Sequence, residues 1–187
     1  MAKRTLPPAT WLSPLPAVLV SSRRPGEKPN IITVSWCGIV CSQPPMLSIS
    51  IRPATHSFGI VSATGEFVVN VPSRAILEQV DRCGTQSGKN VDKFAAIGLT
   101  PVPASEVGAP LVAECPVNLE CVVRHSLQLG LHRMFVAEIV AAHVDEALLD
   151  AEGKILPFET FGYRPDRRVY VDAGVELGGY GFTARKS

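Results

Sequence analysis

One stretch of the sequence decides the fold: Pro29-Asn30-Ile31-Ile32-Thr33-Val34-Ser35-Trp36. Its β-branched residues and its terminal aromatic residue predict a strand. Asn30, Thr33 and Ser35 add amide and hydroxyl groups to an otherwise apolar segment. This mixture suits a flat aromatic cofactor, because the ring system packs on apolar walls while its carbonyls and ring nitrogens need hydrogen-bond partners. The alternative is a polar sheet edge that faces solvent.

The segments on either side of this stretch predict antiparallel strands. An apolar strand is expected at Pro16–Ser22, and the loop after it, rich in Gly and Pro, turns the chain into a return strand at Ile31–Cys37. Met46–Arg52 alternates apolar and polar residues with a period of two. That pattern predicts a third strand with one buried face.

Short helices are predicted between the later strands. The residues Thr55–Ala63 form a helix whose first residue is the N-cap and which ends at Gly65. After a strand at Glu66–Val71, a second helix is expected at Arg74–Arg82 and a shorter one at Asp92–Ile97. None of these helices is long enough to dominate the fold.

The second half of the chain predicts a longer hairpin. A loop over residues 99–116 leads to strands at Val117–His125 and Met134–Val144, which we expect to pair around Gly130. Many strands and a few short helices, without regular βαβ alternation, predict a mainly β antiparallel barrel. The sequence has neither a Gly-x-Gly-x-x-Gly motif after a strand nor a Walker motif, so a nucleotide cofactor would need another cradle.

Size, charge and cysteine content limit the classes of function. The 187 residues are expected to form one domain, and the formal net charge of +1 argues against nucleic acid as a partner. No apolar run has the length of a membrane helix or a secretory signal, so we expect a soluble cytoplasmic protein with no membrane partner. The five cysteines form no Cys-x-x-Cys pair, so we expect reduced, mostly buried thiols and no metal site.

Several short motifs occur in a recognisable order and spacing. They are Pro16–Val20, Pro29–Trp36, Pro44-Pro45, Gly65–Val71, Val91–Phe94, Ala109–Leu111, Glu120-Cys121 and Gly130–His132. In this order they resemble the flavin reductase-like family of FMN-binding split barrels, which includes the flavoredoxins, and the resemblance implies a split β-barrel. Two departures are Gln43, where the family often has Asp, and the Cys37-Gly38 pair after the tryptophan.

A phosphate site is predicted where the third strand meets the first helix. Arg52 supplies a guanidinium group, and Thr55, His56 and Ser57 supply side-chain donors and free backbone N–H groups at the positive end of the helix. The alternative is an ordinary capped helix beside a surface arginine. The resemblance favours phosphate binding.

The resemblance also implies the remaining candidate residues. Lys93, and less directly Lys89, would contact the phosphate, while Asn70 would bond to the cofactor edge or else satisfy a turn. His132 is the candidate catalytic residue, near the nicotinamide, with a purely structural role as the alternative. The cofactor-binding set is Asn30, Thr33, Val34, Ser35, Trp36, Ser50, Arg52, Thr55, His56, Ser57, Asn70, Lys89 and Lys93.

The function implied by the resemblance is an NAD(P)H-dependent flavin reductase. NADH or NADPH would pass hydride to FMN, with FAD as a less favoured cofactor, and electrons would continue to free flavin, a partner monooxygenase, a metal complex or another redox protein. The alternatives are an FMN-binding electron carrier without a nicotinamide site and an oxidase of pyridoxamine phosphate. The resemblance further implies a homodimer, with the tail from about residue 158 to 187 at its interface.

Overall fold

The computed structural model describes residues 1–173 and Thr183. It is built on a seven-stranded antiparallel sheet, with a three-stranded sheet of order β1-β11-β12 and a two-stranded sheet of β7 and β8 beside it. The strands are β1 Leu15–Pro16, β2 Val18–Ser22, β3 Asn30–Val34, β4 Cys37–Ser42, β5 Pro45–Ile51, β6 Glu66–Val71, β7 Pro101–Val102, β8 Leu111–Val112, β9 Val117–Leu129, β10 His132–Val144, β11 Phe161–Arg164 and β12 Val169–Asp172. The helices are α1 His56–Thr64, α2 Leu77–Thr85 and α3 Lys93–Ile97.

The large sheet has the order β3-β2-β6-β9-β10-β5-β4, so β3 and β4 are its two ends. The predicted single strand Ile31–Cys37 is therefore wrong at its end, because the chain bends at Ser35 and Trp36 and then starts a separate strand, β4. The bend is held by a hydrogen bond in which Ser50 N–H donates to the Trp36 carbonyl at 2.8 Å. A segment that looks like one strand in the sequence thus forms both end strands of the sheet, β3 and β4.

The first helix begins and ends as its sequence predicts. Thr55 is the N-cap, and its hydroxyl accepts a hydrogen bond from Phe58 N–H at 3.3 Å. Gly65 follows with φ of 69° and donates its N–H to the Val61 carbonyl at 2.9 Å. Only a residue that tolerates the left-handed region ends a helix in this way at little cost.

The second helix starts later than predicted. Residues Arg74–Ile76 form a 3₁₀ turn, and α2 then runs to Thr85, past the glycine that was expected to end it. Ile76 lies between the two with φ of −112° and ψ of 27°, outside the helical region. The third helix, α3, is capped by Asp92 and ends at Gly98, as expected.

In the long hairpin, β9 is four residues longer than its predicted strand and β10 is two residues longer. Both strands have 13 residues, and they meet at a turn in which Gly130 has φ of 50°. Residues 124–131 are exposed, so they lack the alternation of burial from which the sequence-based strand limits were drawn. Backbone pairing between the two strands extends beyond the part that covers the core.

Two clusters of buried side chains lie on opposite sides of β2. Val18 and Val20 pack inside the barrel, together with Ile49 of β5 and Phe67 of β6. Leu19 points the other way, towards α2 and α3. The aromatic part of the tail packs on this second cluster, with Phe161 buried and Tyr163 and Tyr170 partly buried. The predicted tail continues to Phe182, and its residues 174–182 lie outside the described residues.

A buried carboxylate anchors the loop that precedes β8. Glu120 is fully buried on β9, and its two oxygens accept hydrogen bonds from the backbone N–H groups of residues 105, 106 and 107 at 2.7–2.9 Å. The Ser105 hydroxyl donates at 2.7 Å, and His143 Nε2 lies 2.6 Å away. Burial alone would raise the pKa of Glu120, but these hydrogen bonds outweigh it and lower the pKa to about 2.

Two other properties of the described chain bear on function. None of the helices in residues 1–173 is both long and apolar enough to cross a membrane. Within the same range, no three His, Cys, Asp or Glu side chains are grouped so as to hold a metal ion, and all five cysteines are free thiols.

Candidate functional site

A cavity of about 490 Å³ lies at the open side of β3. It brings together eight of the predicted site residues, and its volume is within the range of small-molecule sites. Strand β3 is an end strand, so one of its edges has no strand partner in the described sheet. The lining consists of Ile32, Thr33, Val34, Ser35, Trp36, Ser50, Ile51, Arg52, Thr55, Asp81, Gly84, Thr85, His132, Tyr163, Arg168 and Tyr170.

Thr33 and Val34 have different surroundings in this cavity. The Thr33 hydroxyl lines the cavity and donates a hydrogen bond to the Val80 carbonyl of α2, so its proton is already used within the protein. Val34 is buried in the barrel cluster and contributes an apolar wall. Strand β3 is therefore fastened to α2 by the same residue that was expected to bind the cofactor.

Trp36 and His132 form the aromatic wall of the cavity. Their rings are nearly parallel, with an angle of 7° and a centroid separation of 6.0 Å. Burial, and then the positive charge of Arg52, lower the pKa of His132 below its usual value. This shift favours the neutral imidazole, which presents one ring nitrogen as donor and the other as acceptor.

The start of α1 forms another side of the cavity. The Arg52 carbonyl accepts hydrogen bonds from both Thr55 N–H, at 3.0 Å, and the Thr55 hydroxyl, at 2.9 Å. This turn leaves the Arg52 side chain exposed beside the first helical turn. The first N–H groups of a helix have no carbonyl partner within the helix, so this end of α1 favours an anion.

A second cavity, of about 460 Å³, lies on the other side of the same helix end. Thr55 lines the first cavity, and the next residue, His56, lines the second. Two lysines, Lys28 and Lys89, also line it. The full lining is Glu27, Lys28, Pro29, Asn30, His56, Gly88, Lys89, Asn90, Val91 and Asp92.

Asn30 and Ser57 join the second cavity to the core. The buried Asn30 amide donates to the Ser57 hydroxyl at 2.7 Å. Gly88 lies directly over the Asn30 side chain, because a Cβ at this position would overlap Asn30 Oδ1. Ser22 pairs with Asn30 across the strands, and its buried hydroxyl has no hydrogen-bond partner among the described residues.

Two predicted residues have other partners. Asn70 is fully buried, its amide nitrogen donates to Leu19 and Val68 carbonyls, and its oxygen accepts from Val112 N–H at 3.0 Å. It therefore joins strands in the interior, and its amide groups already have partners there. Lys93 is also buried; its ammonium donates to the Cys83 carbonyl at 2.6 Å, and burial lowers its pKa.

The sequence did not identify the far wall of the first cavity. Tyr170 donates a hydrogen bond from its hydroxyl to Asp81 Oδ1 at 3.2 Å, which links β12 to α2. Burial, followed by the Asp81 charge, raises the pKa of Tyr170 to about 12. Arg168 adds a positive charge, and it is the one non-glycine residue with positive φ in the described range. The sequence shows tyrosines in the tail, which could have indicated this wall. It does not show that they contact α2.

Comparison with known proteins gives a consistent result. The chain is 35% identical to the flavoredoxin of Desulfovibrio vulgaris (Miyazaki F), with a TM-score of 0.91 over 98% of this chain and 100% of that one. It is 26% identical to the flavoredoxin from Methanosarcina acetivorans, with a TM-score of 0.87 over 99% and 100% of the two chains. An uncharacterised protein of Archaeoglobus fulgidus is 34% identical over 78% of this chain and 81% of its own length.

A family model described as "Flavin reductase like domain" matches residues 12–164. This range includes both cavities except for the residues of β12 and the turn before it. The chain therefore belongs to the flavin reductase-like family and has its split-barrel fold.

Proposed function

We propose that this protein is an FMN-binding oxidoreductase that accepts hydride from NADH or NADPH. The observation that carries the proposal is a pair of cavities at the start of α1, lined by the consecutive residues Thr55 and His56. One is aromatic, at Trp36 and His132, and the other is polar, with His56 and two lysines beside two carboxylates. A flavin mononucleotide has the same two parts, a ring system and a phosphate.

The chemistry of the donors supports this fit. The ring system would lie along β3, where Ser35 and the unpaired strand edge offer hydrogen bonds and Val34 offers an apolar surface. The phosphate would lie at the start of α1, between Arg52 and the lysine side of the second cavity. The unpartnered Ser22 hydroxyl and the close approach of Gly88 to Asn30 support a built polar site at this place.

The compact second cavity favours FMN over FAD. Its lining includes the ion pair in which Lys28 Nζ lies 3.1 Å from Asp92 Oδ2. A cofactor with a second phosphate and an adenosine would have to extend past this pair. We also propose that Lys93 contributes positive charge to the phosphate site. Its ammonium makes one hydrogen bond within the described residues, to the Cys83 carbonyl.

When bound, the flavin would supply the hydride-accepting chemistry, and the protein would supply position and electrostatics. Arg52 and Arg168 would stabilise negative charge on the ring and the phosphate. His132, held parallel to Trp36, would form the wall against which a nicotinamide could pack. These residues orient the reactants and exclude water from them.

Similarity to the flavoredoxin of D. vulgaris favours a second candidate function, an FMN-binding electron carrier without a nicotinamide site. The two functions are separated by one experiment. The purified protein is loaded with FMN and mixed anaerobically with NADH or NADPH while its visible spectrum is recorded. Rapid bleaching supports the reductase, whereas a stable yellow spectrum that bleaches only with a protein donor supports the carrier. Failure to bind FMN or FAD would refute both.

We also propose that the protein forms a homodimer with the tail near the flavin and that its acceptor is a partner monooxygenase or another redox protein. The exposed apolar residues Trp36 and Leu131, on the same side of the molecule as the first cavity, support an interface there. Sedimentation of the FMN-loaded protein is expected to give twice the chain mass. A monomer that keeps its flavin would refute the dimer.

A further inference from the structure

Among the described residues that line the first cavity, Asp81 is the only acidic one. We propose that its charge lowers the reduction potential of the flavin bound there, so that the reduced protein is a stronger electron donor. This inference rests on the proposed function, because it requires a flavin in that cavity. It applies whether the electrons come from a nicotinamide or from another protein. Asp81 is thus a residue that tunes the cofactor and takes no part in hydride or proton transfer.

Helix α2 brings Asp81 to the cavity. Asp81, Gly84 and Thr85 have the spacing i, i+3 and i+4, so they share the face of the helix that lines the cavity. A Cβ at Gly84 would lie 3.3 Å from the Thr33 Cβ, so the glycine allows α2 to pack closely on β3. Because the ring system is proposed to lie along β3, this face of α2 would lie beside the ring.

The Asp81 carboxylate is held in one orientation by a neutral partner. Its Oδ1 accepts a hydrogen bond from the Tyr170 hydroxyl at 3.2 Å. Burial and the Asp81 charge raise the pKa of Tyr170 to about 12, so this hydroxyl stays protonated. None of the ion pairs within the described residues includes Asp81, and the adjacent Arg82 pairs with Glu78 instead. The negative charge is therefore oriented but not cancelled by an ion pair.

The end of α2 adds to this charge. The helix ends at Thr85, and the last carbonyls of a helix carry partial negative charge. The start of α1, with Arg52 beside it, has the opposite polarity and lines another side of the same cavity. Arg168 is a second positive group, on the turn before β12. The two arginines act on a flavin in the opposite direction to Asp81, so the proposal concerns the difference that the Asp81 charge makes.

Reduction changes the charge of a flavin ring. Two electrons and one proton, transferred from the oxidised donor as a hydride, leave the ring with one negative charge until a second proton binds. A fixed negative charge nearby disfavours this product relative to the uncharged oxidised ring. A sphere of about 490 Å³ is roughly 10 Å across, and two unit charges at that distance change an equilibrium constant about tenfold at an effective dielectric constant of about 20. Asp81 therefore favours release of the electrons to an acceptor.

The test is the midpoint potential of the FMN-loaded full chain, measured by anaerobic dithionite titration beside a reference dye. Asp81→Asn removes the charge and keeps an oxygen that can accept from Tyr170. We expect the potential to rise by about 30 mV at pH 7, which is a tenfold change in the equilibrium constant of a two-electron couple. By linkage, the variant should gain about tenfold more affinity for reduced FMN than for oxidised FMN.

Glu78→Gln is the matched control, because it removes the same charge from the same helix. Glu78 is not among the described residues that line the cavity, and its side chain is 83% exposed and paired with Arg82. Water and the partner screen its charge, so the equilibrium constant should change by less than about twofold. Asp81→Glu restores the charge and should return most of the wild-type potential. Asp81→Ser removes the charge with a smaller side chain and should give the same rise as Asp81→Asn.

The outcomes separate this inference from the proposed function. An unchanged or lower potential in the two uncharged Asp81 variants would overturn the inference while the bound flavin remained. An equal rise in Glu78→Gln would also overturn it, because the effect would then belong to net charge and not to the cavity. Failure of the wild type to bind FMN or FAD would instead refute the proposed function itself.

Discussion

Replacement of Glu120 by Gln tests the buried anchor of the loop over residues 105–107. The variant keeps the size of the side chain but removes its charge and replaces one acceptor oxygen by an NH₂ group. The carboxylate accepts hydrogen bonds from three backbone N–H groups and one hydroxyl. The NH₂ group of Gln cannot accept a hydrogen bond, so at least one of these donors loses its acceptor in the variant. Each buried group left without a partner costs about 1–3 kcal/mol.

The pKa gives a second estimate of the same cost. The pKa of Glu120 falls from 4.5 to about 2, and each unit is worth about 1.4 kcal/mol, so the ionised group contributes about 3 kcal/mol to stability. Partial exposure of His143 allows solvent to screen the charge, which brings the value towards about 2 kcal/mol. For a chain of this size, that loss lowers the melting temperature by roughly 4–12 °C.

The pH dependence has a definite sign. The folded-state pKa is depressed, so the stabilisation is complete above the unfolded value of 4.5 and is lost as pH falls towards about 2. The difference in unfolding free energy between wild type and Glu120→Gln should therefore be constant from pH 7 to pH 5. Below pH 4.5 it should shrink by up to about 1.4 kcal/mol for each pH unit.

Urea unfolding followed by circular dichroism at pH 7, 5 and 4 measures this difference. Glu106→Gln is the matched control, because it makes the same change on an exposed side chain next to the anchor. We expect the control to remain within about 0.5 kcal/mol of the wild type. The reasoning would be refuted if both variants lost the same stability, or if the Glu120 difference did not change between pH 5 and pH 4.

Three further changes test the proposed flavin site. Gly88→Ala should displace Asn30 and weaken FMN binding at least tenfold in a fluorescence titration, since its Cβ would overlap the Asn30 oxygen; normal affinity would contradict the placement of the phosphate. Arg52→Ala should weaken FMN binding by about 1.5–3 kcal/mol, the value of a hydrogen bond to a charged group, while Arg74→Ala should not; equal effects would remove Arg52 from the site. Arg52→Gln should raise the pKa of His132, measured by NMR titration of the imidazole, because it removes a nearby positive charge. An unchanged pKa would show that the charge of Arg52 does not act on His132.

Local signals in the sequence were sufficient for the elements with clear ends. The N-cap at Thr55 and the left-handed Gly65 define α1, and the alternation in Met46–Arg52 predicts the half-buried strand β5. The mainly β split barrel and the family are confirmed. The predicted end of β9 was too early. The outer half of this strand is exposed on both faces, so burial does not impose an apolar–polar alternation there.

Non-local contacts decide which polar groups at the site already have partners. Asn70 looked available at the end of its strand, but the amide is used by the strands and loop that pack on it from distant parts of the chain. The Thr33 hydroxyl is taken up by a carbonyl of α2, and Asp81 and Tyr170 reach the cavity through a contact between α2 and β12. Polar residue types identify where binding is feasible, but only packing determines which groups remain unpaired.

The pairing of β1 with β11 has a consequence for the order of events during synthesis. Leu15 is opposite Tyr163, so the small sheet joins a strand made early to one made near the end of the chain. Tyr163 and Tyr170 also line the first cavity. The barrel strands β2 to β10 can associate while the ribosome is still adding residues, but the ring site has no far wall until the last strands emerge. We therefore expect cofactor capture to follow the synthesis of β11 and β12.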